Sequence, residues 1–308
     1  VPPRGDIGGV NFVRADIRNP VIAKVIAKEE VDTVVHLSVI ATPGSIGSRT
    51  AMKELNVIGT MQLLAACQTA PSLRQVVVKS TTQVYGASNR DPAMFTEAME
   101  PRRTPTSGYA RDAADIEGYV RGFARRREDV CVTVLRCANV LGPRIKSPIA
   151  DHFRRPVIPS IAGFEPRLQF LHELDLYAVL AHTLRAKVPG TFNIAGDGVI
   201  THSQIIRRLQ RPTLPIPEPL FGLYRFTGAE YPAELRSLLA YGRGVDTRRM
   251  REVLGFEPQY TTEQTVADFA GDLVPTGGRM DRALADLERR VTPIRTPRRA
   301  ATGAAEHG

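Results

Sequence analysis

The chain reads as an α/β protein built on a doubly wound parallel sheet, with a smaller lobe towards its C-terminus. Three observations point there. Short, nearly continuous apolar runs at Asp32–Leu37, Arg74–Ser80 and Val130–Cys137 suit parallel strands buried on both faces. Helix-length segments alternate with them. Beyond Pro143 the alternation loosens, as it would where a second, less regular lobe begins.

In chain order, Asn11–Asp16 reads as a short strand and Pro20–Glu30 as a helix opening just after Asn19. The strand at 32–37 follows, then a helix from about Thr50 to Ala70, the strand at 74–80, a loop to Gly108, a helix to Arg127 and the strand at 130–137. In the second half, Gln169–Glu173 and Thr191–Ala195 read as strands around a helix at Leu174–Ala186. Arg211–Pro219 carries four prolines in nine residues and reads as a loop. Helices are expected near 247–254, 262–272 and 278–290, and a disordered Arg/Pro/Ala-rich tail from Val291 on. This organisation divides the chain at 1–145, 146–275 and 276–308.

Composition narrows the function classes. A chain of 308 residues, 43% hydrophobic, can bury one large core with an appended lobe. No apolar run is long enough to span a membrane, and Val1–Asp6 has no apolar segment of the kind a secretion signal carries. The three cysteines, Cys67, Cys131 and Cys137, have neither metal-ligand spacing nor the even number of a disulfide framework, which favours a reducing, cytoplasmic setting. The net charge of +9 comes from 35 arginines and 6 lysines spread over helix ends and the tail. With no aromatic-interleaved basic stripe, nucleic acid is not an expected partner.

Three segments carry the chemistry: Lys79-Ser80-Thr81-Thr82-Gln83-Val84-Tyr85-Gly86, Ser107-Gly108-Tyr109-Ala110-Arg111-Asp112-Ala113 and Arg136-Cys137-Ala138-Asn139-Val140-Leu141-Gly142-Pro143. In this order they resemble the extended short-chain dehydrogenase/reductase family, in its NAD-dependent epimerase/dehydratase branch (UDP-glucose 4-epimerase-like). The resemblance runs from about Phe12 to Phe269. It implies a Rossmann-like fold, NAD as cofactor, a nucleotide-sugar substrate and a homodimer formed through the helices at 50–70 and 108–127. It also implies a substrate lobe in the second half, with two strands returning to the main sheet.

The resemblance assigns roles residue by residue. Tyr109 matches the general-base tyrosine and Thr81 the hydroxyl that orients the substrate oxygen. Asp16 and Ile17 match the segment that meets the adenine. His36, Leu37 and Ser38 match the stretch at the pyrophosphate and ribose, although a buried histidine at His36 is equally a core residue. Asn56 supports the site from its helix, and Asn139 contacts substrate. Phe170–Asp175 resembles Phe-Ile-His-Val-x-Asp. The arginine that usually grips the diphosphate four residues before that histidine is Leu168 here, so Arg167 is the candidate, turned to the opposite face by strand alternation.

Two departures bear on activity. The family's Tyr-x-x-x-Lys signature ends in Ala113. A tyrosine with an ordinary pKa near 10 needs a neighbouring cation to act as a base at neutral pH. Arg111 points away on the helix and Asp112 would oppose ionisation. Lys79, two residues before Thr81 and on the same strand face, is a conceivable donor. Second, no glycine-rich turn precedes the first helix, and roughly the first 35–50 residues of the pattern are expected to be missing, as in a fragment. Three readings stay open: an NAD-dependent nucleotide-sugar epimerase or dehydratase, a non-catalytic dinucleotide- or sugar-nucleotide-binding relative, and a steroid- or small-ketone-type reductase.

Overall fold

The computed structural model describes residues 8–37, 48–100, 105, 108–221 and 231–273. The chain runs α1 (Val21–Lys28), β1 (Thr33–His36), α2 (Arg49–Lys53), a π-helical turn (Glu54–Ile58), α3 (Gly59–Gln68), β2 (Gln75–Thr81), a 3-10 turn (Thr82–Tyr85), α4 (Gly108–Arg126) and β3 (Cys131–Cys137). It continues through β4 (Asn139–Leu141), α5 (Pro148–Phe153), β5 (Ile158–Ile161), β6 (Arg167–Leu168), β7 (Phe170–His172), α6 (Glu173–Ala186) and β8 (Gly190–Ile194). The last part holds β9 (Ile200–Thr201), α7 (His202–Leu209), β10 (Thr213–Ile216), α8 (Glu218–Phe221), α9 (Ala233–Tyr241), α10 (Arg248–Glu252) and α11 (Thr262–Asp272).

The main sheet is wholly parallel, in the order β1-β2-β3-β8. Alternation along its strands sorts the core into two layers. Val76, Val78, Val132 and Val134 face α1, α3 and α4, where Ile26, Leu63, Leu64, Ile116, Val120 and Phe123 meet them. Val77 and Leu135 turn the other way, with Phe192 and Ile194 of β8, and pack against Val179 of α6 and Met250 of α10. A third core, around Phe153, Ile158, Phe170, Ile205, Leu238 and Phe269, builds the second lobe.

Several expectations change. Asn11–Asp16 is not a strand: it is irregular, with Phe12 50% and Val13 53% exposed. A lone extended segment needs a ladder partner, and β1 pairs only with β2 among the described residues. Among the described residues β1 therefore lies at the edge of the sheet, and it is only partly buried. The helix expected over 50–70 is interrupted by the π turn at Glu54–Ile58. Among the described residues of the second half only β8 joins the main sheet, whereas β7 pairs in parallel with β4.

The proline-rich segment 211–219 is not a loop but contains β10, paired in parallel with β5, and α8. β10 has no second neighbour among the described residues, so Pro215 can face its open side without breaking a ladder bond. Pro219, in the first turn of α8, occupies a place where a missing N–H is harmless. The helix expected at 278–290 and the tail lie outside the described residues.

Candidate active site

The C-terminal ends of β2 and β3 and the start of α4 converge. Strand alternation puts Lys79 and Thr81 on one face of β2. The chain then breaks into the 3-10 turn, whose entry Thr81 caps by accepting from the Gln83 amide at 3.3 Å. α4 opens at Gly108, where φ is +71° and a Cβ would strike the Glu234 carboxylate. That turn sets Tyr109 in the first helical turn, 8% exposed. Lys79, Thr81, Gln83, Tyr109, Cys137 and Asn139 share one cavity of about 250 Å³, closed by Leu176 of α6 and, from the second lobe, by Lys146, Glu234 and Leu238 among others.

Burial pushes the Tyr109 phenol above its ordinary pKa; Lys79 and a hydrogen bond with Thr81 pull the other way without cancelling it. Lys79 mirrors this. Burial works against its ammonium, yet Tyr109 and Cys137 outweigh that and hold its pKa above the usual lysine value. Ala113, 2% exposed one turn beyond Tyr109, packs among Val77, Leu135 and Cys137.

Asp112 is fully buried and ion-paired to Arg49 at 2.6 and 2.8 Å, with Asn56 donating to the same carboxylate at 3.1 Å. Arg49 also donates to the Gly108 carbonyl at 2.8 Å, tying α2 to the turn that carries Tyr109. The carboxylate that the sequence sets against Tyr109 is thus neutralised, and it is the weakest of the influences on the phenol. Arg49 was not foreseen. Its one signal is a cation in the first turn of a helix, a place the helix dipole disfavours unless an anion lies nearby.

The other candidates fall in different places. His36 is 4% exposed, bonded through Nε2 to Thr60 at 2.8 Å, and burial lowers its pKa to about 4. Leu37 is 47% exposed beyond β1, and Ser38 lies outside the described residues. The Asp16 carboxylate is held by Arg18 in several hydrogen bonds that lower its pKa to about 2. Ile17 packs on Gly59, where an added Cβ would come within 2.5 Å of it. Asn139 lines the cavity and accepts from Gln83 at 3.3 Å. Arg167 is exposed on β6 and does not line the cavity, while Leu168 beside it is buried.

The flanking motifs hold the frame. Tyr85 donates to Asn193 at 2.8 Å and accepts from Arg136 at 2.7 Å, and Arg136 pairs with the buried Glu117. His172 caps α6 and bonds Asp268, while Asp175 accepts from the amides of Gln259 and Tyr260. Among the described residues no cluster of His, Cys, Asp and Glu could hold a metal ion. No described helix is long and apolar enough to cross a membrane.

The donors that meet in the cavity, an ammonium, a phenol and a hydroxyl, suit the ribose and carboxamide of a nicotinamide together with a substrate hydroxyl.

Comparison with known proteins agrees with this arrangement. The profile of the NAD dependent epimerase/dehydratase family matches residues 2–195. An uncharacterised protein of Mycobacterium tuberculosis strain H37Rv is 47% identical over 270 residues, covering 85% of this chain and 71% of that one. Among solved structures, the dTDP-glucose 4,6-dehydratase of Bacillus anthracis in complex with NAD superposes with a TM-score of 0.66 at 21% identity, covering 87% of this chain and 80% of that one. The UDP-glucose 4-epimerase of Thermotoga maritima with UDP-glucose gives 0.66 at 20% identity, over 87% of each chain. The sheet order, the cavity at its strand ends and the matched profile lead to one assignment: this chain belongs to the NAD dependent epimerase/dehydratase family, and its cofactor is NAD.

Proposed function

We propose that the protein is an NAD-dependent enzyme acting on a nucleotide sugar, as an epimerase or a dehydratase, with Tyr109 as general base and Thr81 as its partner. The observation that carries this is the meeting of Tyr109, Thr81 and Asn139 in one cavity at the ends of β2 and β3. NAD, when bound, supplies the two-electron oxidant for a sugar carbon. The Tyr109 phenolate takes the proton of the hydroxyl on that carbon, so that the alcohol becomes a ketone. Thr81, bonded to Tyr109, orients the same oxygen, and Asn139 with Gln83 holds the sugar against them. In an epimerase the hydride returns to the opposite face of the ketone and Tyr109 returns its proton to that oxygen; in a dehydratase the proton of the neighbouring C–H, acidified by the ketone, and the hydroxyl beyond it leave as water, and the hydride returns to the carbon that lost the hydroxyl.

Asp16, Ile17, His36, Leu37, Ser38 and Asn56 stand as the cofactor side of this reading, and Arg167 as a candidate for the diphosphate, reached only if the substrate extends over β6. A homodimer through α3 and α4 is part of it, supported by the exposure of Ile58, Met61 and Tyr119 on those neighbouring segments, at 44%, 39% and 41%. Sedimentation of the purified protein reads that state.

The second reading is a binding protein without turnover. Ala113 and the raised pKa of Tyr109 favour it. To separate the two, the purified protein is incubated with NAD and UDP- or dTDP-hexoses, and products are followed by chromatography and NMR. Epimer or 4-keto product that falls at least ~100-fold in Tyr109→Phe supports the enzyme. Saturable NAD and nucleotide-sugar binding with no product supports the binding protein.

A further inference from the structure

We infer that Lys79 is the residue that tunes Tyr109: its ammonium, delivered from β2 rather than from the helix carrying the tyrosine, eases the loss of the phenol proton that burial opposes. It is a positioning residue, acting through Tyr109. The inference rests on the general-base reading of Tyr109 for its catalytic consequence, but the coupling of the two side chains stands on the cavity they share and on the pull each exerts on the other.

Lys79 and Thr81 project from one face of β2 into the cavity that Tyr109 lines. The position one helical turn beyond the tyrosine is closed to a cation, because Ala113 is packed against Val77, Leu135 and Cys137. Charges on the surrounding elements do not replace Lys79. Arg49 is committed to Asp112 and the Gly108 carbonyl, Arg136 to Glu117 and Tyr85, and Arg111 to Asp115 on the outer face of α4. Lys79 itself is not engaged by a carboxylate: among the described residues its electrostatic partners are Tyr109 and Cys137. An ammonium so placed offsets part of the effect of burial, so the phenol loses its proton more readily than it would without Lys79. Lys146 also lines the cavity, from the second lobe, and is the natural control.

The test is a spectroscopic titration of the full-length protein without cofactor, following phenolate absorbance in wild type, Lys79→Met, Lys79→Arg, Lys146→Met and Tyr109→Phe. The step missing from Tyr109→Phe is that of Tyr109. In Lys79→Met it moves up by about one pH unit or more, in Lys79→Arg it stays near its wild-type position, and in Lys146→Met it moves by much less. Near-ultraviolet circular dichroism establishes that each variant is folded. If Lys79→Met destroys the fold, Lys79→Arg against Lys79→Gln gives the same comparison.

A Tyr109 step that stays in place in Lys79→Met or Lys79→Gln, or that Lys146→Met moves just as far, overturns the inference. In turnover, Lys79→Met should lower kcat about tenfold per unit of displacement, leave KM nearly unchanged and shift the rising, acid-side limb of the pH profile upward. If wild type converts no nucleotide sugar, the proposed function fails while the titration still decides the coupling. If wild type turns over and the titration shows no coupling, the function stands and Lys79 is excluded.

Discussion

Asp112 and Ala113 lie side by side on α4 and illustrate how neighbouring residues acquire opposite constraints. Asp112 is a buried carboxylate whose charge is balanced from a different helix by Arg49, itself 38% exposed at the side chain. Removing the cation leaves the carboxylate stranded, whereas replacing Asp112 by Asn removes the charge that needs balancing. Arg49→Met is therefore expected to destabilise the protein by about 2–3 kcal/mol, less than for a fully buried pair because Arg49 is partly screened. Asp112→Asn should cost clearly less. Thermal unfolding of both variants checks the order; an Asn variant the less stable of the two would show that the charge pair is not what anchors the start of α4.

Ala113 is constrained by volume. Ala113→Lys would restore the sequence signature, yet it forces a long side chain into the packed cluster of Val77, Leu135 and Cys137. A loss of about 1–3 kcal/mol is expected, with no gain in turnover. Unfolding midpoint and kcat together check this, and a stable variant with raised kcat would contradict it.

At the scale of elements, α5 and α7 are joined by a buried histidine pair. His152 and His202 meet through their Nε2 atoms at 3.0 Å, and His152 reaches Tyr231 through Nδ1 at 3.0 Å. Burial lowers both pKa values, that of His202 to about 4 against the opposing pull of Glu165, while Arg155 adds to the lowering at His152. Folded pKa values below the unfolded one mean that the unfolded chain binds more protons as pH falls. Stability should accordingly be complete above about pH 6.5, the ordinary histidine value, and decline from there towards pH 4. His36 in the main sheet acts in the same direction. Denaturant midpoints at pH 7.5 and 5 in wild type and His202→Gln read the effect. The midpoint should fall between these two pH values in wild type and fall less in the variant.

The elements also show where local pattern is a sufficient guide. α4 and α6, β2 and β3 follow the apolar runs and turn signals closely, because each is long enough, or apolar enough, for its own residues to decide. β10 and the segment at Asn11–Asp16 do not. Whether a proline-rich stretch forms a strand depends on whether β5 lies alongside, and whether Phe12 and Val13 form one depends on a neighbour to pair with. Neither partner is encoded in the segment itself.

Taken whole, the molecule is a main sheet and a lobe with a cavity between them. Lys79, Thr81 and Tyr109 come from β2 and from α4 beside it, Leu176 from α6 on the same sheet, and Leu238 and Glu234 close the cavity from α9 of the second lobe. A ligand bridging the two should stabilise the folded state by mass action, by about 2.7 kcal/mol at a concentration one hundred times its Kd. NAD and a UDP- or dTDP-sugar added together are expected to raise the unfolding temperature more than either alone. Differential scanning fluorimetry over a ligand series tests this, and strictly independent, additive shifts would mean that the two do not share the cavity.

The sequence by itself determined the parallel α/β frame, the family, and the positions of Thr81, Tyr109 and Asn139 in their elements. All of these rest on residues close together in the chain: apolar runs, turn glycines and short motifs. It also showed that the lysine expected beside Tyr109 is absent. Only the tertiary structure decided what stands in that space. The strand face of Lys79 was legible in the sequence, but Arg49 from α2 and Glu234 from α9 reach the turn at Gly108 across 59 and 126 residues of chain, and no local pattern reports such a meeting. A cavity's electrostatics are the sum of charges brought together by packing, and packing is a property of the whole fold.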